Sequence, residues 1–316
     1  MCLVGVILAG MPRIGVMGSG GLGGYFGALL ARGGSDVTFV ARGAHLAAMR
    51  RSGLRVEPDV VHLAQVQVTD EPGEIGVVDF VLLCVKLWDT QSALARIAPM
   101  IGPDTAVVSF QNGVLKEDLL AEAFGANRVL GGVAYIATTV SEPGVITKTG
   151  PLERLVFGEL DGSTSPRVEM LRGACMAGGI AAEVSSEIGL EIWKKFVFLV
   201  GLSSTTTTMR LPIGPIRDHP QARAFLLDVM REVVNVGRAR GVQLPADYAE
   251  QVLAFVDGVS PDTTSSMYHD LERGNRIEVP WLSGAVAELG RSVGVSTPLN
   301  RAVADILAIR ASAPAI

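Results

Sequence analysis

"RIGVMGSGGLGGYFGALLARGGSDVTFVAR", residues 13–42, decides the fold. "RIGVMG" (13–18) has the length and apolar content of a buried strand, and the stretch after the turn carries helical spacing before a second short strand in "DVTFVAR" (36–42). Between strand and helix, "GSGGLGG" sets Gly18, Gly20 and Gly23 in a GxGxxG frame, with Ser19, Gly21 and Leu22 filling the loop. The first glycine permits a tight turn. The second lets backbone approach a pyrophosphate, the third lets helix and strand pack closely, and the helix N-terminus favours the phosphate charge. Alone the motif is weak; between a strand and a helix, with a second strand on schedule, it reads as a dinucleotide site.

Outward from this unit the same grammar continues. Apolar strands are expected at "VDFVLLCVK" (78–86), "TAVVSFQNG" (105–113) and "RVLGGVAYIATTV" (128–140), with helical stretches near 89–98 and 116–124. Strands apolar throughout and separated by helices argue for a parallel sheet covered on both faces. Residues 141–160, with turn signals between short alternating runs, read as β-hairpins. After Glu183 the period is mostly helical, with helices near 187–208, 220–241, 246–256, 262–273 and 280–293. The fold class is an α/β Rossmann-type, doubly wound N-terminal sheet domain (11–181) followed by an all-α C-terminal domain (182–316). Residues 1–10, apolar but without a basic n-region or a small-residue cleavage site, read as an extension before a functional start at Met11.

Composition narrows the function. The 316 residues are 48% hydrophobic and 19% charged, with a net charge of −5, which fits a well-buried globular enzyme and argues against disorder. That mild acidity, with no basic cluster, gives no electrostatic case for nucleic acid or anionic lipid as a partner, and no segment reads as a membrane span. Cys2, Cys84 and Cys175 are widely spaced and outside any metal-ligand or disulfide pattern, so no metal is expected and a reducing cytoplasm fits best. His45, His62, His219 and His269 stand singly and are assigned no chemistry.

Cofactor choice is read after the second strand. NAD enzymes tend to place an acidic residue there for the ribose hydroxyls; here Asp36 comes before the strand, whereas Arg42 lies just beyond it and could pair with a 2′-phosphate. NADP(H) is the expected cofactor. Lys86 and Asn112 end two further strands at the same carboxyl edge, where ligands of such sheets lie.

"EIWKKFVFLVGLSSTTTT", residues 191–208, places two lysines against an apolar run. On a helix Lys194 and Lys195 are about 100° apart, so they cannot share an environment. Periodicity expects one of them to be partly buried without choosing which. A lysine held between burial and a nearby carboxylate can donate a proton near neutrality.

The order GxGxxG, "VK" after a strand, "QNG", "WxK" opening a helix, and "SSM" followed by Glu278 resembles the ketopantoate reductase (2-dehydropantoate 2-reductase) family over the chain from about Met11. That resemblance implies reduction of the 2-oxo group of ketopantoate to pantoate by NADPH, for coenzyme A synthesis, in a cleft flanked by two domains. It assigns Lys195 as the general acid, Ser266 as the carboxylate anchor, Glu278 as the glutamate at the cofactor and beside the lysine, and Asn112 as a nicotinamide and substrate contact. Lys86 and Arg42 resemble NADPH contacts. Ser266 read alone could equally be a helix cap, and Glu278 a first-turn charge before Pro280.

One departure bears on the substrate. The family's lysine helix commonly carries asparagines four and eight positions after the lysine, where this chain has Leu199 and Ser203. The substrate-binding set is thus more apolar, and discrimination between substrates rests on such bonds. A different, more apolar 2-oxo or hydroxy acid, acted on in either direction, is one alternative; a non-catalytic NADPH-binding sensor is another. Apolar helical surfaces in the C-terminal half also permit a homodimer.

Overall fold

The computed structural model describes residues 10–58 and 60–312, so all but the last residue of the expected 1–10 extension lies outside the described residues. The chain divides into two compact units: residues 1–111 with 116–188, and residues 112–115 with 189–316.

The first unit follows from the repeated strand–helix grammar. Its elements run β1 (Arg13–Met17), α1 (Gly21–Arg32), β2 (Asp36–Val40), α2 (Gly43–Ser52), β3 (Leu54–Glu57), β4 (Val61–Leu63), β5 (Gln67–Thr69), β6 (Phe80–Leu83), α3 (Thr90–Ile97), β7 (Ala106–Ser109), α4 (Lys116–Phe124), β8 (Val129–Glu142), β9 (Val145–Glu159), α5 (Pro166–Ala177) and β10 (Ala181–Val184). One sheet takes the order β4-β3-β9-β8-β7-β6-β1-β2-β5, with β10 added beside β9. From β5 to β8 every pairing is parallel. The chain sets β2 beside β1, visits the far edge with β3 and β4, adds β5 beyond β2 and then returns to β6 on the other side of β1, so the winding reverses at β1 and β6. A reversal of this kind opens a crevice at the carboxyl ends of the strands.

Strand alternation explains why these segments lack polar positions. Ile14, Val16, Phe80, Leu82 and Val108 join one apolar cluster with Phe26, Leu29 and Leu30 of α1 and Leu171 of α5. Met17, Val81, Leu83 and Val107 join the other with Leu94 and Ile97 of α3. Successive side chains point to opposite faces, and both faces are covered.

Two sequence expectations change in this unit. Residues 141–160 are not separate hairpins: β8 and β9 form one long antiparallel pair turning at Pro143–Gly144, with register shifts after Ile136 and Val140. The sheet also runs past 181, because Ala181–Val184 pairs in parallel with Arg154–Phe157 of β9. The unit therefore ends at Ile188 rather than near residue 181.

The second unit is helical: α6 (Ile188–Met209), α7 (Ile213–Asp218), α8 (Pro220–Ala239), α9 (Tyr248–Asp257), α10 (Ser266–Glu272), α11 (Ser283–Ser292) and α12 (Pro298–Ala311). Proline opens α8 and α12, where its missing N–H costs nothing. The start of α12 is held by Glu232 of α8, whose carboxylate accepts from the backbone N–H groups of Leu299 and Asn300, both at 2.9 Å. Among the described residues no helix is long and apolar enough to cross a membrane.

Candidate active site

The candidate residues fall into two groups, one in each unit. In the first unit the glycine loop divides its labour as the spacing predicts. Gly18 takes a φ of +99°, where a Cβ would stand 2.8 Å from the Val85 backbone nitrogen. At Gly23 a Cβ would come within 2.2 Å of the Gly18 carbonyl oxygen and 2.9 Å of Val16, so only glycine lets α1 lie this close to β1. A Cβ at Gly20 would meet nothing within 4 Å. That open space in front of the α1 N-terminus fits the approach of a pyrophosphate, and the loop therefore fits a dinucleotide.

Residues distant in sequence hold this loop. Ser19 donates from both its N–H and its Oγ to the Val40 carbonyl at the end of β2, at 3.1 and 2.9 Å. The Ser19 carbonyl lies 2.8 Å from His45 Nε2, and His45 Nδ1 accepts from the Gly144 N–H at 3.0 Å. Because Nδ1 accepts, the proton sits on Nε2 and is donated to Ser19. Burial pushes the His45 pKa below its ordinary 6.5, partly opposed by the bond to Ser19. The sequence assigned this histidine nothing, because its partners lie on a loop before it and on a turn 99 residues after it, and local spacing reports neither.

Arg42 follows β2 and opens α2, as expected, but its guanidinium is not idle: Nη2 lies 2.9 Å from Asp89 Oδ2. Lys86 lies just beyond β6, with its ammonium 5.6 Å from the Trp88 ring centroid. Gln111 was also missed. Its amide nitrogen donates to the Val85 carbonyl at 2.8 Å and to Thr90 Oγ1 at 2.9 Å, while its oxygen accepts from Ser109 Oγ at 3.0 Å. This buried amide clamps the ends of β6 and β7 and so fixes where the chain leaves the sheet for Asn112.

In the second unit Lys195 and Asn112 meet: Lys195 Nζ donates to Asn112 Oδ1 at 2.9 Å. The residues are 83 apart in sequence, and residues 112–115 cluster with the helical unit although the sheet lies on both sides of them in the chain. Gly113, at φ +91°, makes that turn, and a Cβ there would reach within 3.5 Å of the Trp281 carbonyl. Both lysines prove half-buried rather than one. Lys194 pairs with Glu191 of its own helix at 2.9 Å, both half-buried, whereas Lys195 turns to Asn112.

Ser266 is the exposed first residue of α10, but the helix cap is its neighbour Ser265, whose Oγ accepts from the Tyr268 N–H at 3.0 Å and meets Thr206 Oγ1 of α6 at 3.0 Å. Capping is therefore not what Ser266 does. Glu278, 7% exposed, precedes the short turn Val279–Trp281, and its carbonyl accepts from the Trp281 N–H at 3.0 Å. Farther along the lysine helix Leu199 is half-buried, whereas Ser203 is fully buried and its Oγ has no hydrogen-bond partner. An orphaned buried hydroxyl costs about 1–3 kcal/mol. Among the described residues no cluster of His, Cys, Asp or Glu could hold a metal ion.

One unit thus carries a glycine loop that fits a dinucleotide, and the other a lysine bonded to an amide. Comparison with known proteins agrees. Residues 14–162 match the model of the ketopantoate reductase PanE/ApbA family, and residues 187–311 match that of its C-terminal domain. The 2-dehydropantoate 2-reductase of Mesorhizobium japonicum is 33% identical over 313 residues, covering 92% of this chain and 95% of that protein. The uncharacterized oxidoreductase YkpB of Bacillus subtilis is 31% identical over 297 residues, covering 91% and 95%. Among solved structures, the 2-dehydropantoate 2-reductase of Geobacter metallireducens superposes with a TM-score of 0.87 at 28% identity, covering 94% of this chain and 99% of the other. With both of its halves matched, this chain belongs to the ketopantoate reductase PanE/ApbA family of oxidoreductases.

Proposed function

We propose that this chain reduces a 2-oxo acid with NADPH, ketopantoate to pantoate being the first substrate pair to test. The observation that carries the reading is the bond from Lys195 Nζ to Asn112 Oδ1. It fixes on a helix an ammonium, a group that carries protons it can donate. NADPH, when bound, supplies the hydride. Gly18, Ser19, Gly20, Gly21, Leu22 and Gly23 would receive its pyrophosphate, with Arg42 and Lys86 taking further phosphate charge.

On the substrate side, Ser266 would anchor the carboxylate through its exposed hydroxyl. Lys195 would donate to the carbonyl oxygen as it gains charge and then release a proton to it, while Asn112 keeps the ammonium aimed. Glu278, buried beside the Val279–Trp281 turn, would position the lysine and contact the cofactor. Free, half-buried Cys84 and buried Cys175, each with its thiol pushed up to about 12 by desolvation, suit a reducing cytoplasm.

A second reading changes only the substrate tail. It is favoured by Leu199, an apolar side chain half-buried on the lysine helix, and by Ser203, too short to reach as an asparagine would. The experiment is steady-state oxidation of NADPH by the purified chain with ketopantoate and with bulkier, more apolar 2-oxo acids. The reading predicts saturable turnover of at least one of them, with ketopantoate turned over at low concentration. Efficient turnover of apolar acids alone would assign the second reading, and NADPH binding without turnover of any would contradict both.

A further inference from the structure

We propose that Asp89 sets the cofactor preference of this chain by competing with the adenosine 2′-phosphate for Arg42. The inference rests on the NADPH reading above and goes beyond it by naming the residue that limits that preference.

The sheet brings the two side chains together. Strands β2 and β6 flank β1 in register, so that Met17, directly before the glycine loop, partners both Val40 and Leu83. The segments that follow Val40 and Leu83 thus leave the sheet at the level of the loop, one on each side. Neighbouring strands are about 4.8 Å apart, so β2 and β6 are separated by roughly 10 Å. Arg42 from one side and Asp89 from the other close that gap with a contact of 2.9 Å. The pair spans the carboxyl end of β1, where a dinucleotide's adenosine half is held in sheets of this winding.

Asp89 is tied down at its backbone. Its N–H donates to the Lys86 carbonyl at 2.9 Å, and its own carbonyl accepts from Ser92 Oγ at 2.9 Å. Its side chain is 28% exposed against 72% for Arg42, so the carboxylate is the more enclosed partner and the guanidinium the more accessible one. No side-chain cap bond of α3 employs the carboxylate.

The chemistry follows from charge. A 2′-phosphate must share Arg42 with a carboxylate and is repelled by that carboxylate. A 2′-hydroxyl, in contrast, can donate to Asp89. The acidic residue that the end of β2 lacks is thus delivered from the segment after β6, and one site carries both the residue type that suits a phosphate and the type that suits a hydroxyl.

The test is calorimetric binding to the full chain without substrate, using adenosine 2′,5′-bisphosphate and adenosine 5′-monophosphate as probes, with wild type, Asp89→Asn, Arg42→Ala and the double variant. Asp89→Asn should tighten the bisphosphate about threefold, the scale of an exposed ion pair, and leave the monophosphate unchanged or weaker. Arg42→Ala should weaken the bisphosphate selectively, and in its presence Asp89→Asn should have a smaller effect on it, because only the carboxylate's repulsion is then relieved. Selective loss in Arg42→Ala with unchanged or weaker bisphosphate binding in Asp89→Asn overturns the role of Asp89 and leaves the NADPH reading standing. No selective loss in Arg42→Ala overturns both.

Discussion

At the scale of single residues, the three motif glycines differ in what a methyl group would do, and the difference separates folding from binding. Gly23→Ala would drive a Cβ into the Gly18 carbonyl and the Cys84 side chain. It should destabilise the fold by about 2 kcal/mol or more, read as a lowered Tm. Gly20 has an ordinary φ of −69° and open space around its missing Cβ. Gly20→Ala should leave Tm unchanged and weaken NADPH binding about tenfold, equivalent to about 1.4 kcal/mol, measured by fluorescence titration. Matching losses of Tm in the two variants would contradict this division. These glycines were legible in sequence because their roles are set by local spacing. Asp89, Gln111 and His45 were not, because each works through a partner brought in from another strand end, and spacing along the chain does not report that partner.

At the scale of elements, strong periodicity and short connections made most of the architecture readable. Helix α4 spans the stretch read from sequence, and α6 lies within a residue of it. Helices α5 and α12 went unread although each carries a start signal. Ser165 caps α5 by accepting from the Val168 N–H, with Pro166 next, and Thr297–Pro298 opens α12. The short β10 has a strand's alternation over only four residues, Ala181–Val184, too few to stand out before a long helix. One cross-element tie has a thermodynamic signature. His45 joins α2 to the glycine loop and to the β8–β9 turn, and its native pKa lies below 6.5. The denatured chain therefore takes up this proton first, so the associated stability is complete above pH 6.5 and is lost as pH falls below it toward the native pKa. Tm should decline in that window, and His45→Gln, which can still donate to Ser19 and accept from Gly144, should flatten the decline. Glu159 acts in a separate, more acidic window. Burial raises its pKa, but bonds from Arg167 and Ser165 outweigh this and hold it below 4.5. Its contribution is present above that value and is lost as pH falls further. An identical pH slope in His45→Gln and wild type would remove His45 from the account.

At the scale of the whole molecule, the change from alternating strands and helices to helices alone announced two units, and the proposed function divides its chemistry between them, nucleotide in one and proton in the other. What the sequence could not carry is the excursion of residues 112–115 into the helical unit, since "QNG" reads as the end of a strand and nothing local says which unit its asparagine serves. The bond from Lys195 to Asn112 depends on that excursion. The most direct test of the account is Lys195→Ala, comparing turnover of the preferred 2-oxo acid and NADPH affinity with those of wild type. Removing a donor aimed at developing charge should lower kcat by about a hundredfold to a thousandfold, with the NADPH Kd unchanged within about twofold. Turnover retained in Lys195→Ala would contradict the central claim that this lysine supplies the proton.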